Sequence, residues 1–525
     1  MPAMPAPAAS SEAVDPSVLA AIDLGSNSFR LEIGQLSRGR YKRIDYLKET
    51  VRLGGGLDAD GSLNEEAQAR GLDCLKRFAA RLEGFAASQV RAVATQTLRE
   101  ARNRDAFLAR ARSVLGQPIE VISGREEARL IFAGVARLQP SERTRLVIDI
   151  GGRSTEMILG QGRTPRHAES FQVGSVSLSM RFFPDGRYTE AGFRAAQIAA
   201  GAELEEALQP FAPGRWVEAL GASGTVGAVS QLLAANGITD GAITPVGLRW
   251  CIEACLAAGH QDALELPGLK ADRRAVLGGG LSILYTLAMQ FGIDALQPAR
   301  GALRQGVIFD LSERREAVHA QAHRGAASST VRDLRDDSVQ ELQRRFGSDL
   351  LQAARVRRLA LALYRSVAPR SAGNGGVLPG ETERELAWAA LLHEIGMSVS
   401  HHDHHRHSAY LLAHVDAPGF SQSQQRRVAE LVLGHRGSLR KLGSTLEHEA
   451  NLWPVLCLRL AAVLSHARND VPDTVAQLKS APASAELQLD AAWAAGHPRT
   501  MYLLSEETRA WERAGRLRLE VAANP

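Results

Sequence analysis

Two apolar periodicities divide this chain. Up to about residue 314, short strand-like runs alternate with stretches of helical period; beyond it the helical period dominates. Strand patterns fall near 19–24, 29–36, 90–95 and 118–122, and again near 145–150 and 155–160. The stretch 64–84 puts Ala67, Leu72, Leu75, Phe78, Ala79 and Leu82 on one side of a helix, and Val226–Ala235 reads as another. Further on, Val356, Leu359, Leu363 and Val367 form a stripe flanked by Arg355, Arg357 and Arg358. The Gly- and Pro-rich stretch Pro369–Gly380 is expected to separate two helices. Near the C-terminus, E-L-Q-L (486–489) and R-L-R-L-E-V (516–521) alternate around a helix near 505–514. The pattern predicts a disordered tail at 1–17, an α/β lobe at 18–138, a second α/β lobe at 139–314 closed by Gly301–Phe309, a helical domain at 315–478 and a small α+β cap at 479–525.

The two lobes share a motif. Ala21–Leu31 read A-I-D-L-G-S-N-S-F-R-L and Val147–Ile158 read V-I-D-I-G-G-R-S-T-E-M-I, aligning Asp23 with Asp149, Gly25 with Gly151 and Ser28 with Ser154. Each copy is a strand, a tight turn and a second strand. Amides and hydroxyls in such turns cradle phosphate, and the carboxylate can hold a bridging cation. Two copies imply two related lobes facing a shared cleft. The candidate phosphate ligands are Ser26, Asn27 and Ser28 in the first turn, and Gly151, Gly152, Arg153, Ser154 and Thr155 in the second. Asp23, Asp149 and Glu156 would line the cleft floor, where converging carboxylates with open positions suit Mg2+. A third small-residue turn, Gly221, Ala222, Ser223, Gly224 and Thr225, precedes a helix and is a ready anion site. Thr95, Thr97 and Arg99 end a strand from which they can reach a phosphate.

Glu126 and Glu127 follow S-G-R at a helix start. Either is a first-turn residue favoured by the helix dipole or a general base that orients water towards a terminal phosphate, with Arg125 beside them to neutralise charge.

Composition changes this picture little. The chain has 525 residues, a net charge of +4 and a pI of about 9.0, a mild surplus compatible with a polyanionic partner. No apolar stretch is long enough to span a bilayer, and the N-terminus lacks the basic start and apolar run of a signal peptide. The four cysteines, Cys74, Cys251, Cys255 and Cys457, form no zinc pattern, and the cytoplasm is the expected compartment. Histidines crowd L-L-H-E-I-G-M-S-V-S-H-H-D-H-H-R-H (391–407). His393, His402, His407 and His435 resemble part of a His-Asp metal site, but L-R-L-A-A-V-L-S-H-A (458–467) lacks its closing carboxylate. A structural or polyanion-binding domain is therefore expected.

In order and spacing, A-I-D-L-G-S-N-S-F, T-Q-T-L-R, I-S-G-R-E-E-A-R-L-I-F, V-I-D-I-G-G-R-S-T-E, G-A-S-G-T and G-A-L-R-Q-G-V resemble the exopolyphosphatase / guanosine pentaphosphate phosphatase family of the actin and sugar-kinase superfamily. The likeness continues through L-L-H-E-I-G and H-R-H-S-A-Y-L-L. It implies an α/β fold of two actin-like (ribonuclease H-like) lobes, then a degenerate His-Asp-type all-α domain and a small α+β domain. It implies an Mg2+-dependent phosphohydrolase that processively releases orthophosphate from linear polyphosphate. The alternatives are hydrolysis of guanosine pentaphosphate to the tetraphosphate, or a non-catalytic sensor of these ligands. By the resemblance Glu127 is the general base, Asp149 and Glu156 support metal and water, and Asp23 with Ser26–Ser28 forms the first phosphate loop. A homodimer is implied, with a basic channel built by the helical domain, peripheral membrane association is conceivable, and no nucleic-acid partner is expected. The family's second loop carries a third glycine where this chain has Arg153. A positive φ there would strain an arginine.

Overall fold

The computed structural model describes residues 14–324, 333–367, 380–447 and 449–524. The expected tail lies almost wholly outside them, as does most of Pro369–Gly380. The chain forms two compact units, Met1–Val331 and Arg332–Pro525.

The first unit holds two five-stranded sheets of identical design. Strands β1 (Val18–Leu24), β2 (Phe29–Ser37), β3 (Arg40–Glu49), β4 (Val90–Ala94) and β5 (Ile119–Val121) run in the order β3-β2-β1-β4-β5. Strands β6 (Thr144–Ile150), β7 (Thr155–Gln161), β8 (Thr164–Phe171), β9 (Glu218–Gly221) and β10 (Leu296–Pro298) repeat it as β8-β7-β6-β9-β10. In each, the first three strands are antiparallel and the last two parallel to the first. These are the two related lobes that the duplicated motif predicts, in the α/β arrangement that the family resemblance implies. Every residue of β1 is buried, which its nearly unbroken apolar run V-L-A-A-I-D-L requires of a central strand. The register pairs Asp149 of β6 directly with Glu156 of β7.

Two expectations need correction. Gly301–Phe309 does not close the second lobe but opens helix Leu303–Arg324, so a boundary at 314 falls inside one helix. Leu303, Val307, Ile308 and Leu311 of this helix share a core with Leu130, Ile131 and Val135 of helix Gly124–Leu138, and with Leu19, Ala21, Val147 and Ile158 from both sheets. A Cβ on Gly306 would lie 1.8 Å from the Leu130 carbonyl oxygen, so the G-A-L-R-Q-G stretch lets two backbones touch where the lobes join. The boundary at 478 likewise cuts a strand. The final sheet, β11 (Ala476–Ala481), β12 (Ser484–Asp490) and β13 (Arg518–Asn524), shares one core with the preceding helices. Arg459 pairs with Glu507, whose carboxylate also accepts from Trp511 Nε1 at 2.7 Å, a buried tie between helix Glu449–Leu464 and helix Pro498–Ala514.

Candidate active site

The β1–β2 and β6–β7 turns meet across a cleft of about 690 Å3, open mouth included. Gly25, Ser26, Asn27 and Ser28 line it from the first lobe; Gly151, Gly152 and Ser154 line it from the second, with Ser223 and Gly224 at the start of helix Gly224–Ala235. Thr95 completes the wall. The turns are rigid. Ser26 Oγ accepts from Thr97 Oγ1 at 2.8 Å and the Ser26 carbonyl oxygen from Gly54 N at 2.8 Å. The Gly151 carbonyl oxygen accepts from Ser175 N at 2.9 Å. Ser28 Oγ is buried without a hydrogen-bond partner, as a donor awaiting an anion would be.

Acid gathers on the floor. Glu127 sits in the first turn of helix Gly124–Leu138, capped by Ser123, and Asp23 and Asp149 end β1 and β6. All three line the cleft. Burial raises the Asp23 carboxyl, opposed by Arg30 and Arg304 at 3.5 and 3.7 Å. Burial also raises Glu127, against Arg99, whose Nη1 lies 2.8 Å from Glu127 Oε2. Asp149 has no side-chain partner among the described residues. Burial and then repulsion from Glu127 push it up to about 7.

The structure separates some predicted ligands from the cleft. Glu156 is 1% exposed and accepts from Ser170 Oγ at 2.8 Å; burial, Glu127 and Asp149 hold its carboxyl well above the usual range. Thr155 is fully buried, its hydroxyl donating to the Val173 carbonyl oxygen at 2.6 Å. Arg99, Arg153, Gly221 and Ala222 lie outside the lining. Glu126 pairs with Arg129 at 2.7 Å, which leaves Glu127 as the acid of that pair facing the cleft. Arg125 pairs with Glu169 at 2.7 Å instead of entering the site.

Among the described residues, no three His, Cys, Asp or Glu groups converge to hold a metal ion, so Asp23, Asp149 and Glu156 do not form a ready-made ligand set. The donor chemistry still fits Mg2+, which commonly takes one or two protein carboxylates and fills its shell with water and substrate phosphate. The unpartnered Asp149 is the best placed.

Three arginines were missed in the sequence. Arg30, Arg273 and Arg304 line the cleft. Arg304 is held by the fully buried Glu32 at 3.1 Å and lies 5.2 Å from the Tyr46 ring centroid. Arg30 Nε is buried and unpartnered, and a Cβ on Gly224 would lie 2.6 Å from Arg273 Nη2 and 3.2 Å from Arg30 Nη2. Glycine there leaves room for both guanidiniums at the helix N-terminus. Carboxylates, guanidiniums and two amide-rich turns lining one cleft make a site for phosphoryl chemistry.

The histidines of the second unit cluster differently from expectation. His393 and His435 are joined by His404 and His405, with ring centroids 5.1 to 6.2 Å from that of His435. His402 is 92% exposed at its side chain and stands apart. Burial lowers all four clustered rings, His405 to about 4. The unfolded chain binds these protons near pH 6.5 and the folded unit only below that. Stability is therefore lost as pH falls from about 6.5 towards 4. Thermal unfolding by circular dichroism should show this unit's midpoint falling between pH 7 and 5, and falling less in His435→Gln.

The two like lobes and their charged cleft suit hydrolysis of a phosphoanhydride. Residues 33–315 match the Ppx/GppA phosphatase family and 334–508 match Ppx/GppA phosphatase, domain III; the chain belongs to this family. It is 35% identical over 492 residues to a guanosine-5'-triphosphate,3'-diphosphate pyrophosphatase of Vibrio cholerae, covering 93% of this chain and 95% of that protein. The Vibrio campbellii protein of the same name is 35% identical over 500 residues, covering 95% and 97%. Among solved structures, an exopolyphosphatase from Cytophaga hutchinsonii superposes with a TM-score of 0.51 at 25% identity, over 56% of this chain and 98% of its own.

Proposed function

We propose that this chain hydrolyses the terminal 5'-phosphate of guanosine pentaphosphate, releasing orthophosphate and guanosine tetraphosphate. The observation that carries the phosphohydrolase chemistry is the cleft itself, lined by Glu127 and Asp149 together with Arg30, Arg273 and Arg304. The choice of nucleotide over polyphosphate rests on the Vibrio relatives, which match through nearly their whole length.

The terminal phosphate would sit between the two turns, its oxygens on the backbone amides and on Ser28 Oγ. Glu127 would accept a proton from water as the water oxygen bonds to phosphorus. The bond to the bridging oxygen breaks, and negative charge grows on the leaving nucleotide phosphate. The three arginines are placed to hold that charge. Mg2+, when bound by Asp149 and substrate, would neutralise phosphate charge and position the nucleophile.

A second reading, polyphosphate as substrate, is favoured by the fold shared with the Cytophaga exopolyphosphatase. The two are separated by kcat/KM for orthophosphate release from guanosine pentaphosphate, long-chain polyphosphate and ATP, with Mg2+ present. The pentaphosphate should give the highest value. A clear excess for polyphosphate would replace the first reading with the second, and no release from any of the three would end both.

A further inference from the structure

Arg153 stands in the second phosphate turn where a glycine was expected, yet its φ is not in the left-handed region and its side chain does not line the cleft. The guanidinium crosses to the first lobe instead. Its Nη2 lies 2.8 Å from Glu100 Oε2, its Nε donates to the same oxygen at 3.0 Å and its Nη1 donates to the Gly54 carbonyl oxygen at 3.3 Å. The chain of contacts continues from there. The other Glu100 oxygen accepts from Gln96 Nε2 at 2.5 Å. Gln96 Oε1 accepts from Arg99 Nε and Nη2 at 2.9 and 2.6 Å. Arg99 Nη1 then donates to Glu127 Oε2 at 2.8 Å. A continuous polar chain thus runs from the second lobe's turn to the acid on the cleft floor.

We propose that Arg153 is a positioning residue. It pins the second phosphate turn to the first lobe and, through Glu100 and Gln96, fixes Arg99 against Glu127. The physical argument is one of satisfied valences. Arg99 has a planar fork, and two of its nitrogens are committed to Gln96 Oε1. Gln96 in turn is oriented by Glu100, because its amide nitrogen must face a carboxylate and its oxygen must face Arg99. Glu100 is held in place by Arg153. The side chains of Arg99 and Glu127 are each 10% exposed, so water does not readily replace a lost partner. Arg99 Nη1 also donates to the Ile122 carbonyl oxygen at 3.0 Å, so loosening Arg153 frees Glu100 and Gln96 and lets the Arg99 guanidinium turn about that remaining anchor, and misalignment of Glu127 by about 1 Å is enough to cost up to about a hundredfold in rate. This rests on the reading above that Glu127 activates water.

The test is a kinetic cycle of Arg153→Ala, Gln96→Ala and the double variant, on whichever phosphoanhydride the native enzyme turns over fastest. That choice keeps a wrong substrate assignment, seen with the native enzyme, distinct from a failure of the chain, seen only in the variants. Arg153→Ala should lower kcat by about tenfold with KM changed less than about twofold. Arg153 and Gln96 share no contact. If they act through one chain, the double variant is little worse than the poorer single variant. Arg153→Lys, which can keep the ion pair with Glu100, should recover part of the rate. An unchanged kcat in Arg153→Ala would overturn the proposal. So would an effect confined to KM, which would make Arg153 a direct phosphate ligand, or losses that simply multiply in the double variant.

Discussion

Glu127→Gln should lower kcat by about a thousandfold while KM stays within a few-fold, as read by orthophosphate release under saturating Mg2+. The substitution is isosteric. The glutamine oxygen can still accept from Arg99 Nη1, so the polar chain and the cleft shape survive, and only the capacity to take a proton is lost. Burial raises the Glu127 carboxyl and Arg99 opposes it, an environment suited to a base that must shed its proton again between turnovers. Glu126→Gln is the internal control. That side chain is 2% exposed and pairs with Arg129 away from the cleft lining, so its loss should act on stability more than on the chemical step. A rate within a few-fold of native for Glu127→Gln would remove the base assignment.

Asp149→Asn should reduce kcat/KM by about a hundredfold, shift the Mg2+ concentration for half-maximal rate upward, and raise the thermal midpoint of the metal-free protein. The last effect follows from sign. The Asp149 carboxyl is pushed from 3.8 up to about 7 in the fold, so the folded state disfavours its charged form. That penalty is absent at low pH and grows as pH rises from about 4 to 7. An uncharged amide escapes it, and the gain should be on the order of 2 kcal/mol near neutral pH without metal. The gain should shrink at pH 5 and shrink again when Mg2+ is added. A variant no more stable than the native protein at pH 7 would mean that Asp149 is not a strained charge.

The duplicated strand–turn–strand and the pair Asp23/Asp149 were legible because a phosphate-cradling turn restricts residue types so tightly. The central strands were legible for a related reason. A strand buried on both faces must be apolar throughout, as β1 is. Strands β3 and β8 escaped because they are polar: R-Y-K-R-I-D-Y-L-K-E and T-P-R-H-A-E-S-F cover the sheet edges with charge, which suppresses edge-to-edge pairing and hides the strand signal. Glu156 was read as a metal ligand from its distance to Asp149. The register does place the two side by side, but Glu156 lies behind the cleft lining, its Oε1 accepting from Ser170 Oγ of the neighbouring strand β8. Arg30, Arg273 and Arg304 were invisible as a group, since no local spacing connects residues on β2 and on two helices far along the chain. Their convergence is a product of lobe packing. Arg304 does lie within G-A-L-R-Q-G, where the glycines seat the helix and the arginine faces the cleft. In the second unit the likeness to a His-Asp site points to His402 and His407, whereas helix His404–His414 turns His404 and His405 inward.

The most direct test of the hydrolytic account is the fate of oxygen from 18O-labelled water during turnover of guanosine pentaphosphate. Attack at the terminal phosphorus, with water activated on the cleft floor, predicts one labelled oxygen in the released orthophosphate and none in the tetraphosphate, with the labelled product nearly abolished in Glu127→Gln. Label in the nucleotide product, or labelled orthophosphate formed at an undiminished rate by Glu127→Gln, would contradict it.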